Sequence, residues 1–135
     1  MKLLSISDQI SPVIYGHLEE AAFREIDLVI SCGDLPLDYL EYIVSMLNVP
    51  CYFVPGNHDE RYLDNPPPGW TSLDGRLVSH DGIRLMGLGG SISYTPDAGP
   101  YYYSERQMQL RLLRLQPHLW LHKKVDILVT HSPPY

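Results

Sequence analysis

Four short apolar stretches, each running straight into a polar residue able to bind a metal, constrain this chain more than any other feature. Leu3 to Ser7 ends at Asp8. Ile26 to Ser31 ends in Cys32-Gly33-Asp34. Cys51 to Val54 ends in Pro55-Gly56-Asn57-His58-Asp59. Val125 to Thr130 ends in His131-Ser132. Each reads as a buried parallel strand followed at once by a polar loop. Ile83 to Leu88, ahead of Gly89-Gly90, is a further strand candidate.

Helical spacing lies between these stretches. Tyr15 to Arg24 can turn Leu18, Ala22 and Phe23 toward a sheet. Leu37 to Leu47 can place Leu40, Ile43, Val44 and Leu47 on one face. Ser104 to Leu115 opens with Ser-x-x-Gln, a capping-box pattern, and is expected to bury Met108, Leu112 and Leu115. Asp64 to Thr71, with its three prolines, must be a loop. Leu73 to Ser79 predicts an edge strand, turning at His80-Asp81-Gly82 into the strand at Ile83.

Strands alternating with helices predict an α/β fold with a mainly parallel sheet. In such sheets ligands collect beyond the C-terminal ends of the strands. Asp8, Asp34, Asn57 and His131 are therefore expected along one edge. Carboxylate, amide oxygen and imidazole together suit Mn, Fe, Zn or a similar divalent ion. A carboxylate can bridge two cations about 3.5–4 Å apart, the spacing of two-metal hydrolytic sites.

Gly33-Asp34, then Gly56-Asn57-His58-Asp59, then Thr130-His131 resembles the ordered motif series of calcineurin-like metallophosphoesterases. Gly-Asp alone is a weak signal, whereas Gly-Asn-His-Asp directly after an apolar strand is specific. The resemblance implies a four-layer α/β/β/α sandwich. It also implies hydrolysis of phosphate mono- or diesters through two divalent metal ions. It places Asp8 on the first metal and Asp34 between both. Asn57 and His131 fall on the second. His58 would stand beside the leaving group as a proton donor or charge stabiliser, with Asp59 fixing its orientation.

The chain departs from the family pattern twice. The first motif is usually Asp-x-His, but here it reads Asp8-Gln9-Ile10. The final Gly-His-x-His is not present before Tyr135. The expectation is thus a single domain over residues 1–135, truncated at its C-terminus, with thin metal shells. Two alternatives stay open: a silent binding or scaffold module on the same fold, and an inactive fragment of a longer phosphoesterase. A strand at Val125 to Thr130 without a neighbour also predicts a possible homodimer.

The net charge of −6 excludes a basic footprint for nonspecific nucleic-acid binding. Bound cations can still bring a phosphate ester to an acidic protein. No apolar run approaches the roughly 20 residues of a membrane span, and the first residues do not read as a signal peptide. Cys32 and Cys51 form no C-x-x-C pair. They are expected to stay unbonded, at opposite edges of a parallel sheet, and the default location is the cytoplasm. Tyr101-Tyr102-Tyr103 reads as loop and core packing, with the lining of a substrate cleft as its alternative.

Overall fold

The computed structural model describes residues 1–18, 21–93, 95, 98–122 and 124–132. The expected apolar stretches are strands: β1 (Leu3–Ile6), β2 (Leu28–Ser31) and β3 (Cys51–Phe53). With β4 (Thr71–Ser72) they form a parallel sheet in the order β1-β2-β3-β4. A second sheet holds β5 (Leu77–His80), β6 (Ile83–Leu88) and β9 (Ile127–Thr130) in the order β5-β6-β9, with β6 and β9 parallel. A small parallel ladder pairs β7 (Ser91–Ile92) with β8 (Tyr102–Tyr103). Helix α1 (Leu37–Leu47) joins β2 to β3, and helix α2 (Glu105–His122) precedes β9. The mixed α/β architecture matches the expectation.

Side chains alternate across a strand, and here both sides of the first sheet are covered. Val29, Cys51 and Phe53 pack with Tyr39, Leu40 and Ile43 of α1. Leu28, Ile30, Tyr52 and Val54 face Leu85 and Val129 of the second sheet. Helix, sheet and sheet thus stack as layers. The core residues Tyr39, Leu40 and Ile43 are fully buried, each worth about 1.5–3 kcal/mol of apolar burial. Trp70 Nε1 donates to Leu40 O at 2.9 Å, which fastens the proline-rich loop to α1. Helix α1 ends at Asn48, left-handed at φ 49, whose N–H bonds Val44 O, the usual geometry of an Asn stop.

Several expectations need correction. Tyr15 to Arg24 is not an α-helix: the described part forms turns and a 3-10 turn at Ala21–Phe23. Gly16 has φ 87 and donates its N–H to the Tyr42 hydroxyl, a conformation that cannot continue a right-handed helix. Leu18 is buried as expected, but Ala22 is exposed. The expected edge strand at Leu73 to Ser79 begins only at Leu77, and Thr71, expected in the loop, opens a separate short strand. Thr71–Ser72 belongs to the first sheet and Leu77–His80 to the second, and the chain crosses over between them through Asp74-Gly75. The turn into β6 is as expected, with φ 46 at Asp81 and φ 79 at Gly82, the two positive φ values of a tight hairpin.

Helix α2 also differs from its sequence reading. It runs on through Pro117 to His122. Leu113, whose carbonyl loses the proline's missing N–H, is exposed, so water can take that bond. Leu115 is buried, Met108 is half-buried and Leu112 is 47% exposed. The capping box is formed: Ser104 N donates to Gln107 Oε1 at 2.8 Å, and Gln107 N to Ser104 Oγ at 3.3 Å. Ser104→Ala is expected to lower unfolding stability by about 1 kcal/mol, read as a shift of the urea midpoint; an unshifted midpoint would deny the cap its role.

Both cysteines are free thiols. Cys51 pairs with Val29 in the ladder, so Cys32 lies beyond it by about 10 Å of strand. Among the described residues no helix is long and apolar enough to cross a membrane.

Candidate metal centre

The C-terminal ends of β1, β2 and β3 and the end of β9 meet at one edge. Asp8 N donates to Gly33 O at 3.1 Å, tying the loop after β1 to the loop after β2. Asp8 and Asp34 are both left-handed, at φ 61 and φ 57. That region is sparsely populated by non-glycine residues and is retained at functional sites. Gly33 and Gly56 touch backbone to backbone. A Cβ on Gly33 would lie 2.3 Å from Gly56 N, and one on Gly56 would lie 2.0 Å from Asp34 Oδ1. Only glycines let the two loops approach this closely.

One donor atom each from Asp8, Asp34 and His131 falls within 4.8 Å of the others. Asn57 completes the group, its Oδ1 lying 2.9 Å from His131 Nε2. The structure therefore brings together all four residues singled out as metal ligands. Asp34 Oδ2 is 3.6 Å from His131 Nε2. Its Oδ1 accepts the His58 backbone N–H at 2.9 Å, so Oδ2 is the oxygen left to bind. Asp8 is exposed, and its Oδ2 accepts from Ser7 Oγ.

His131 is the informative member of the group. Its Nδ1 lies 2.8 Å from Cys32 O. A carbonyl only accepts, so Nδ1 carries a proton, and whenever the ring is neutral Nε2 presents a lone pair. That lone pair faces an amide oxygen and a carboxylate oxygen. Three acceptors turned toward one another repel unless a cation or a proton lies among them. The donor set fits a divalent cation with mixed oxygen and nitrogen ligands.

Asp59 lies between the loops after β2 and β3. It is 3% exposed, and its Oδ2 accepts from Gly56 N and from Asp34 N, both at 2.7 Å. The carboxylate thus holds the two ligand loops together. Burial pushes its carboxyl up, while the Gly56 and Asp34 amides hold it down. The His58 side chain is exposed, and its ring meets Tyr102 edge-on at 6.3 Å between centroids. Ile10, where an imidazole was missing, is 44% exposed and offers no donor atom.

Tyr102 is the residue at this site that sequence reasoning missed. Its hydroxyl accepts from Asn57 Nδ2 at 2.8 Å. The tyrosine run gave no signal of that partnership. Gly87 and Gly89 let neighbouring segments approach closely. A Cβ on Gly87 would lie 2.5 Å from Leu73 Cβ, and one on Gly89 would lie 2.6 Å from Pro55 O.

The family model described as calcineurin-like phosphoesterase matches residues 9–135, which leaves Asp8 just outside the matched range. No curated protein matches the chain significantly. A solved structure of a protein of unknown function from Aquifex aeolicus aligns with 93% of this chain and 75% of its own length. The identity is 19% and the TM-score 0.38.

Proposed function

The chain belongs to the calcineurin-like phosphoesterase family, and from that premise we propose that it hydrolyses phosphate mono- or diesters through a dinuclear metal centre. The observation that carries the reading is the convergence of Asp8, Asp34 and His131 donor atoms with the His131 lone pair turned to the Asn57 oxygen. Asp8 and Asp34 would hold the first ion, and Asp34, Asn57 and His131 the second. When bound, two divalent ions polarise the phosphoryl oxygens and supply a nucleophilic water at neutral pH. Asp34, shared by both ions, would offset part of their charge. His58, exposed at the rim, gives a proton to the departing ester oxygen. Asp59 keeps the Gly56 and Asp34 loops in contact, so that the ligands stay in place. The free thiols suit a cytoplasmic location.

One observation favours a second reading, a silent binding module: Ile10 puts an apolar side chain where the family motif has an imidazole. The two readings separate in one experiment. The purified chain is assayed for metal content, and for hydrolysis of an aryl phosphodiester with and without added Mn²⁺. Bound metal with manganese-stimulated turnover is the expected result. Bound metal without turnover would favour the silent module. Neither metal nor turnover would sink the phosphoesterase reading for this chain.

A further inference from the structure

The tyrosine run after the glycine-rich turn is held by more constraints than a packing role needs. Strand β8 pairs with β7 in the register Ser91↔Tyr102 and Ile92↔Tyr103. Ser91 N and Ser93 N donate to Tyr101 O and Tyr103 O, each at 2.9 Å. Tyr101 is left-handed at φ 65, a costly conformation for an aromatic residue. Gly90 lies against it so closely that a Cβ there would be 2.4 Å from Tyr101 O.

Successive side chains on a strand point to opposite faces. Tyr103 is fastened on one face: the Arg111 guanidinium lies 4.2 Å above its ring, and Arg111 Nη1 donates to its hydroxyl at 3.0 Å. Arg111 Nη2 is in turn paired with Asp74 Oδ1 at 2.5 Å. Tyr102 is thereby presented on the other face, where its hydroxyl accepts a hydrogen bond from Asn57 Nδ2 and its ring meets His58.

An amide has two unlike ends. Only the oxygen of Asn57 can ligate a cation, and the nitrogen then needs an acceptor of its own. With no cation, the amide can turn and donate Nδ2 to the His131 lone pair, which satisfies both groups and removes a ligand. We propose that Tyr102 is a positioning residue of the metal centre, its hydroxyl accepting the Asn57 Nδ2 hydrogen bond so that the amide oxygen stays aimed at the cation beside His131. This rests on the metal-centre reading above and adds to it a residue outside the ligand motifs. Partners that orient a metal ligand typically contribute 10–100-fold in metal affinity.

The test is calorimetric titration of the full chain with Mn²⁺. Tyr102→Phe keeps the ring and removes only the hydroxyl, so it is expected to weaken Mn²⁺ binding by about 10–100-fold while the unfolding midpoint stays near that of the parent. The second variant is Asn57→Asp, whose two carboxylate oxygens are equivalent and need no orienting partner. In that background Tyr102→Phe should change Mn²⁺ affinity by no more than about twofold, the scatter of independent sites. Equal losses in both backgrounds would mean that Tyr102 merely supports the loop, and would overturn the proposal. So would unchanged affinity in Tyr102→Phe. If the parent chain binds no Mn²⁺, the metal-centre reading itself falls and takes this inference with it. If the parent binds and only the tyrosine comparison fails, the metal-centre reading stands alone.

Discussion

Asp34→Asn is expected to abolish manganese-dependent hydrolysis and to weaken Mn²⁺ binding by more than about 100-fold, beyond the range of outer partners, while the protein stays folded. The structure separates these effects. Asp34 Oδ1 accepts the His58 N–H, and the carbonyl oxygen of an asparagine can do the same. The left-handed backbone at φ 57 also suits Asn. The change falls on Oδ2, 3.6 Å from His131 Nε2. There a charged acceptor becomes a neutral donor, which can bond the His131 lone pair and occupy the place of a cation. Metal content, turnover and unfolding midpoint are measured on the same preparation. Normal metal content and rate in the variant would refute the assignment of Asp34 as the shared ligand.

His58→Ala is expected to lower the rate by about 10²–10⁴-fold, the usual contribution of a general acid, and to leave metal affinity nearly intact. The proposed metal site uses the backbone of His58, whose N–H bonds Asp34 Oδ1, and alanine keeps that bond. Its imidazole is exposed and lies edge-on to Tyr102. Asn57→Ala is the comparison, since it removes the oxygen that lies 2.9 Å from His131 Nε2 and should deplete metal. If His58→Ala lost its metal as completely as Asn57→Ala, the division between ligand and acid would be wrong. Because both variants are judged by metal content as well as rate, a folding defect in either shows as a loss that added Mn²⁺ does not restore.

What the sequence by itself determined is local. Helix α1 is where its 3.6-residue spacing predicts, at Leu37–Leu47, because one apolar stripe can be buried on only one side. β6 is likewise where expected, at Ile83–Leu88. The ligand edge was legible for a related reason: an apolar run broken by a polar residue marks both the end of a buried strand and the one place in a parallel sheet where ligands collect. The capping box of α2 is a short-range bond pattern and was readable in the same way.

Only the tertiary structure decided the rest, because it depends on residues far apart in the chain. Gly16 stopped a helix that apolar spacing supports, once its N–H found Tyr42 26 residues on. The stretch from Thr71 to His80 was divided between two sheets, since each part pairs where a vacant strand edge stands. Asp59 lies beside His58 in sequence, yet its buried carboxylate serves the amides of Gly56 and Asp34, the latter 25 residues away. Tyr102 reaches Asn57 across 45 residues. Periodicity reports which side of an element is apolar, whereas the partner of a polar atom is set by which loops the packed sheets bring together, and buried polar groups must find one.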